Sequence, residues 1–206
     1  MSVGRPRGRF IVLEGADGVG STTQCLRLVD GLQCVGVKTH LTAEPSRGPI
    51  GVMIRQMLCG DRARQEIHRE LALLFAADRL DHVAREVEPL LAEGVWVVCD
   101  RYVLSSLVYQ SLDLELPWVE MLNREAPAPD ATVLIELPLD EALARIRARG
   151  GKAEIFDQAD TQRRVHDGYA RLAARQGAAR VDGSGRPDEV SERVVAALQQ
   201  QGAWPS

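Results

Sequence analysis

Residues 10–24 read Phe-Ile-Val-Leu-Glu-Gly-Ala-Asp-Gly-Val-Gly-Ser-Thr-Thr-Gln. The apolar run from Phe10 to Leu13 predicts a buried β-strand, and Gly15, Gly18 and Gly20 predict a turn behind it. Thr22 and Thr23 then open a helical stretch. A strand, glycine loop and helix in that order make backbone N–H groups and a helix N-terminus converge on an anion. The usual spacing in such loops is Gly, four residues, then Gly-Lys-Ser/Thr, with the lysine reaching the β- and γ-phosphates. Gly15 and Gly20 keep that spacing and Thr22 keeps the hydroxyl, but Ser21 stands in the lysine position. The stretch predicts a nucleotide-phosphate cradle built from Gly15, Asp17, Gly18, Val19, Gly20, Ser21, Thr22 and Thr23, with its cation missing.

Working outward, strand-like runs at 10–14, 37–42, 95–100, 132–137 and 179–182 alternate with helical stretches at 22–34, 49–58, 61–92, 139–149, 158–176 and 187–201. The run Val95-Trp96-Val97-Val98-Cys99 is continuously apolar, as expected for a parallel strand covered on both faces. Leu139, Leu143 and Ile146 repeat with helical spacing and share one face. This alternation predicts an α/β fold, a three-layer, doubly wound, parallel five-stranded sheet, over one domain spanning 1–206. Ligands of such sheets bind beyond the carboxyl ends of the strands, where the glycine loop and Asp100 both fall.

The bulk numbers exclude several functions. A content of 45% hydrophobic and 26% charged residues is that of a folded globule rather than a disordered chain. A net charge of −4 and a pI near 5.6 argue against a general nucleic-acid or membrane-surface binder. Arg5, Arg7 and Arg9 form the only basic run, read as a solvated lead into the first strand. No apolar stretch is long enough to span a bilayer, and no apolar signal region opens the chain, so the cytoplasm is the expected compartment. Cys25, Cys34, Cys59 and Cys99 lack Cys-x-x-Cys spacing and are expected to be reduced, buried thiols; His40, His68, His82 and His166 have no ligand spacing.

With these motifs in place the chain resembles the thymidylate kinase family from about residue 9 to residue 169. The resemblance rests on the loop from Glu14 to Gly20 with Thr22-Thr23-Gln24, and on Leu74-Phe75-Ala76-Ala77-Asp78-Arg79 with His82. It continues through Asp100-Arg101-Tyr102, Ser105-Ser106, Tyr109-Gln110, Leu122-Asn123 and Pro129-Asp130. It implies a P-loop nucleoside monophosphate kinase-like fold, ATP as phosphoryl donor, dTMP as acceptor, Mg²⁺ as cofactor, and a homodimer. Thr22 and Asp100 would hold the metal, since hard divalent ions take few protein oxygens plus phosphates. Asp17, Arg101, Arg149 and Lys152 would be catalytic, the last two from a short lid around 149–158. Phe75 would stack on the pyrimidine, Arg79 and Ser106 would reach its edge, and Tyr109 would crowd the ribose 2′ position. Arg47, Arg101 and Gln110 complete the acceptor set, and Arg145 would lie on the adenine side.

Two departures stand out: Ala43 precedes Glu44-Pro45 where the family often has arginine, and the lid is short. Blander readings remain beside the sharp ones. Phe75 is also a plain core residue, Asp100 also a helix cap for a segment starting at Arg101, and Ser106 also a helix-surface serine. Arg145, Arg147 and Arg149 also read as a solvated helix face. Losing one preorganised transition-state donor costs about 3–4 kcal/mol, roughly a hundred- to thousand-fold in rate. The sequence therefore leaves three readings open. These are a dTMP kinase whose lid cations Arg145, Arg149 and Lys152 compensate Ser21, a nucleotide-binding homologue without catalysis, and a kinase for another pyrimidine monophosphate.

Overall fold

The computed structural model describes residues 6–60, 64–148 and 155–205. Its centre is β1 (Phe10–Glu14), every residue of which is buried. The sheet adds β2 (Thr39–Ala43), β3 (Trp96–Asp100), β4 (Ala131–Glu136) and β5 (Ala179–Asp182), in the order β2-β3-β1-β4-β5. All neighbours run parallel; Ile11 lies opposite Val98 on one side and Ala131 on the other. The α/β doubly wound architecture expected from the sequence is the observed one, with β2, β3 and β4 each displaced by one or two residues.

Helices α1 (Ser21–Cys34), α2 (Pro49–Leu58) and α3 (Arg64–His82) follow the expected bounds, the opening residues of the expected 61–92 helix lying outside the described ones. That helix is not uniform. It passes through a π-helical turn (Val83–Val87) into α4 (Glu88–Ala92), where the Glu88 N–H reaches back to the Val83 carbonyl. Pro89 explains the turn: it has no N–H for the preceding helical turn, and one extra residue makes room for its ring. Between β3 and β4 the chain forms α5 (Val103–Tyr109), a 3₁₀ turn (Gln110–Leu112) and α6 (Leu116–Asn123). Then come α7 (Leu139–Ala148), α8 (Ile155–Leu172) with a 3₁₀ turn (Ala174–Gln176), and α9 (Pro187–Gln200).

The main core packs β1, β3 and β4 against α1, α5, α8 and α9 through Ile11, Val98, Val133, Leu32, Leu107, Val165 and Leu198. A second cluster (Phe10, Val12, Val83, Val87, Leu91, Tyr102) fills the opposite face, so helices cover the sheet on both sides. Burial of the cysteines is expected for all four but holds for Cys25 and Cys99 alone. Cys34 and Cys59 are exposed, one closing α1 and the other following α2.

Candidate active site

The loop after β1 is shaped by its glycines. Gly18 and Gly20 have φ of 85° and 96°, in the left-handed region that side chains resist. A Cβ on Gly18 would lie 2.6 Å from the Ala142 carbonyl oxygen, so α7 can approach the loop only over a glycine. Gly20 caps α1, and the N–H groups of Ser21, Thr22 and Thr23 open the helix with no earlier carbonyl to bond. These residues, with Ala16, Asp17, Gly18, Gly20 and Arg101, line a small cavity of about 110 Å³. Val19 turns inward instead: its side chain is in the core, and its carbonyl accepts from Arg145 at 3.4 Å. Ser21 is buried at the first position of α1.

Asp100 closes β3 beside this cavity, and its Oδ2 accepts the Thr22 hydroxyl at 2.5 Å. Its Oδ1 is buried and makes no hydrogen bond among the described residues. A hydroxyl and a carboxylate oxygen side by side at the mouth of a phosphate cradle suit a hard cation such as Mg²⁺. The helix-cap alternative for Asp100 does not hold. The cap position of α5 is Tyr102, and the carboxylate that serves that helix is Glu14. Fully buried at the end of β1, Glu14 accepts the N–H of Tyr102 at 2.9 Å and of Ser105 at 3.2 Å through Oε1. Its Oε2 accepts the Ser105 hydroxyl at 2.6 Å and the Tyr169 hydroxyl at 3.3 Å. Burial pushes the Glu14 carboxyl above its ordinary range, with the Ser105 bond and the Arg101 charge pulling the other way. Sequence reasoning assigned Glu14 no role; the available signal was a charged residue inside an otherwise apolar strand.

Arg101 follows directly and is the only non-glycine residue with positive φ (73°) among the described residues. The carbonyl of Leu13 accepts its N–H at 2.9 Å, which fixes the bend. The guanidinium lies 5.2 Å from the Tyr109 ring centroid and 2.7 Å from Asp17 Oδ1. The other Asp17 oxygen accepts from Gln162 on α8 at 3.0 Å.

Asp17 and Arg101 also line a second cleft, of about 290 Å³, with Phe75, Arg79, Ser106, Tyr109 and Gln110. Glu44, Ser105, His68 and Asp113 share that lining and were not expected there. Ser106 is buried rather than on a helix surface, and accepts from Arg79 Nη2 at 3.0 Å. Gln110 is buried with its Oε1 lacking a hydrogen bond among the described residues. Burial raises the Tyr109 hydroxyl to about 12, although Arg101 draws it down, so it stays protonated. Arg47 is exposed and does not line this cleft. Arg145 lines a third hollow, about 330 Å³, with Thr23, Gly183, Gly185 and Pro187. The side chains of Arg149 and Lys152, and of the rest of the expected lid, lie outside the described residues.

No helix among the described residues is long and apolar enough to cross a membrane. The sequence profile of the thymidylate kinase family matches residues 13–194. The chain is 42% identical over 172 residues to a probable thymidylate kinase of Pyrococcus horikoshii, covering 81% of this chain and 83% of that one. It is 39% identical over 201 residues to one of Pyrococcus abyssi (95% and 98%), and 38% identical over 188 residues to one of Pyrobaculum aerophilum (90% and 94%). With a matched profile over most of its length and relatives of this identity, the chain belongs to the thymidylate kinase family.

Proposed function

We propose that this kinase transfers the γ-phosphoryl group of ATP to the phosphate of dTMP, yielding dTDP and ADP. The observation that carries this reading is that Asp17 and Arg101 line both the phosphate cradle and the neighbouring cleft, so two nucleotides bound there meet at one ion pair. The acceptor's base would stack on Phe75 with its edge toward Arg79 and the unpartnered oxygen of Gln110. Tyr109 would stand against the ribose. The acceptor phosphate would draw the Arg101 guanidinium from Asp17, leaving the carboxylate to orient the acceptor and its water shell. The loop N–H groups and the α1 N-terminus would hold the donor phosphates, and Arg145 would flank the adenine. Mg²⁺, when bound, would neutralise charge on the β- and γ-phosphates, with Thr22 and Asp100 as its protein oxygens. In-line attack by the acceptor oxygen then needs no covalent intermediate.

One domain carries this activity, with a lid around 149–158 supplying Arg149 and Lys152, in the cytoplasm and as a homodimer. The exposed side chains of Leu73 and Leu80 on α3 and Val52 and Met53 on α2 support an apolar subunit contact.

Ser21 favours a second reading, a nucleotide-binding homologue in which catalysis is lost. Steady-state and single-turnover transfer from ATP to dTMP, compared with Ser21→Lys, separates the two. Turnover by the unmodified protein establishes a lysine-free kinase. Binding without turnover, restored by Ser21→Lys, establishes the binding module. A panel in which dUMP or dCMP matched dTMP would overturn the base assignment.

A further inference from the structure

The inner face of α3 carries two buried polar residues three positions apart, Arg79 and His82, each no more than 3% exposed. A buried guanidinium needs a counter-charge, and the carboxylate that supplies it is Glu44, itself 7% exposed. Glu44 Oε2 accepts from Arg79 Nε at 2.8 Å. Arg79 Nη2 lies at the same distance, 2.8 Å, from that oxygen and also reaches the Tyr102 carbonyl at 3.1 Å and Ser106 Oγ at 3.0 Å, while Nη1 goes to the Asn123 side chain. Glu44 Oε1 goes elsewhere, to His82 Nδ1 at 3.2 Å. The far nitrogen of the same ring lies 2.7 Å from the Thr42 hydroxyl. One carboxylate is thus split, one oxygen for the guanidinium and one for the imidazole. His82 does not line the cleft, whereas Arg79 and Glu44 do.

This division fixes where the guanidinium sits. If nothing held Oε1, the carboxylate would be free to turn and take Arg79 with both oxygens, the geometry that carboxylate–guanidinium pairs prefer. The guanidinium would then shift from Ser106 and Asn123 and present a different edge to the cleft. Resting on the reading that Arg79 meets the acceptor's base, we propose that His82 is a positioning residue for substrate recognition. It holds one oxygen of Glu44 so that Arg79 keeps the placement that binds the pyrimidine.

Charge supports the same arrangement. Burial alone would lower the His82 pKa. The hydrogen bond to Glu44 and the nearby Glu44, Glu86 and Asp78 charges outweigh it and raise the pKa above the ordinary 6.5. Glu86 Oε1 lies 3.7 Å from His82 Nε2 and also bonds His40, while Asp78 accepts both the Ser46 N–H and hydroxyl. Arg79 is the facing cation, and the His40 imidazole also meets Glu86. The imidazolium holds Oε1 more firmly than the neutral ring.

The test uses the full-length protein, with dTMP and ATP kinetics and equilibrium binding of thymidine, which has no phosphate to titrate. His82→Leu should raise the dTMP KM about tenfold, with kcat within twofold and the ATP KM unchanged. His82→Asn keeps a donor for Glu44 and should recover most of that loss. Thymidine affinity should fall between pH 6 and 8.5 in the unmodified protein and stay flat in His82→Asn. An unchanged dTMP KM in His82→Leu, equal losses for both substrates, or an unaltered pH profile in His82→Asn would each overturn the proposal. The last measurement stands even if the leucine variant does not fold. Arg79→Gln separates the two levels of the argument. If it weakens dTMP while the His82 variants do not, the positioning role falls alone; if it leaves dTMP binding intact, the acceptor-cleft reading falls with it.

Discussion

At the scale of single residues, the chemistry is concentrated in buried charges whose partners come from distant parts of the chain. Glu14 serves two N–H groups and two hydroxyls at once. Glu14→Gln replaces the oxygen that meets the Ser105 and Tyr169 hydroxyls with an amide donor, so both hydroxyls must turn to accept. The expected cost is about 1–3 kcal/mol, read as a lower midpoint in urea unfolding, with turnover reduced because Ser105 lines the proposed acceptor cleft. His82 gives a pH-dependent prediction of definite sign. Its folded pKa is raised, so the folded protein binds the proton more tightly than the unfolded chain. The stabilisation is fully present below about 6.5, the unfolded value, and is lost as pH rises through the higher folded value. Urea unfolding should show the unmodified protein losing stability relative to His82→Asn across that window, and a parallel pair of curves would refute it. Of its partners, Glu86 stands at the local i,i+4 spacing, whereas Glu44 was hard to anticipate because it comes from the segment after β2.

At the scale of elements, legibility followed local pattern. The glycine loop, the alternating strands and the ends of α2 are set by nearby residues, and the sequence is sufficient to place them. The segment between β3 and β4 is different. The expected helices include neither α5 nor α6; around α6, Leu116, Trp118 and Val119 are apolar without a clear period, and Pro117 sits in the first turn of that helix rather than breaking it. The π-helical turn is a consequence of Pro89 meeting a long helix, which a periodicity count smooths over. Of the candidate site, Phe75, Arg79, Arg101, Ser106, Tyr109 and Gln110 were nameable from their motifs, but Arg47 falls outside the cleft, and the partners Glu14, Glu44 and Gln162 depend on long-range packing. The loop itself makes a paired prediction. Gly18→Ala meets both positive φ and the Ala142 carbonyl at 2.6 Å, whereas Gly20→Ala meets positive φ in open space. Thermal melts should place Gly20→Ala about 1–2 kcal/mol below the unmodified protein and Gly18→Ala clearly lower, with α7 displaced.

At the scale of the whole molecule, the sheet order puts β1 between β3 and β4, and Asp17, Asp100 and Arg101 stand near the carboxyl ends of β1 and β3. The apolar side chains of Leu73 and Leu80 face outward from α3, away from that cleft. Leu73→Glu with Leu80→Glu should halve the mass measured by light scattering; a monomeric mass already in the unmodified protein would remove the dimer from the proposal. The carboxylate of Glu14 has a consequence for motion. It joins the amides of Tyr102 and Ser105 to the middle strand of the sheet, so these groups have no way to meet solvent by a small, local opening of α5. Their hydrogen exchange should be as slow as that of Val12 and Leu13, requiring the sheet itself to come apart. The wall of the proposed acceptor cleft is in that sense part of the last structure to unfold, and substrate entry would have to proceed without its help.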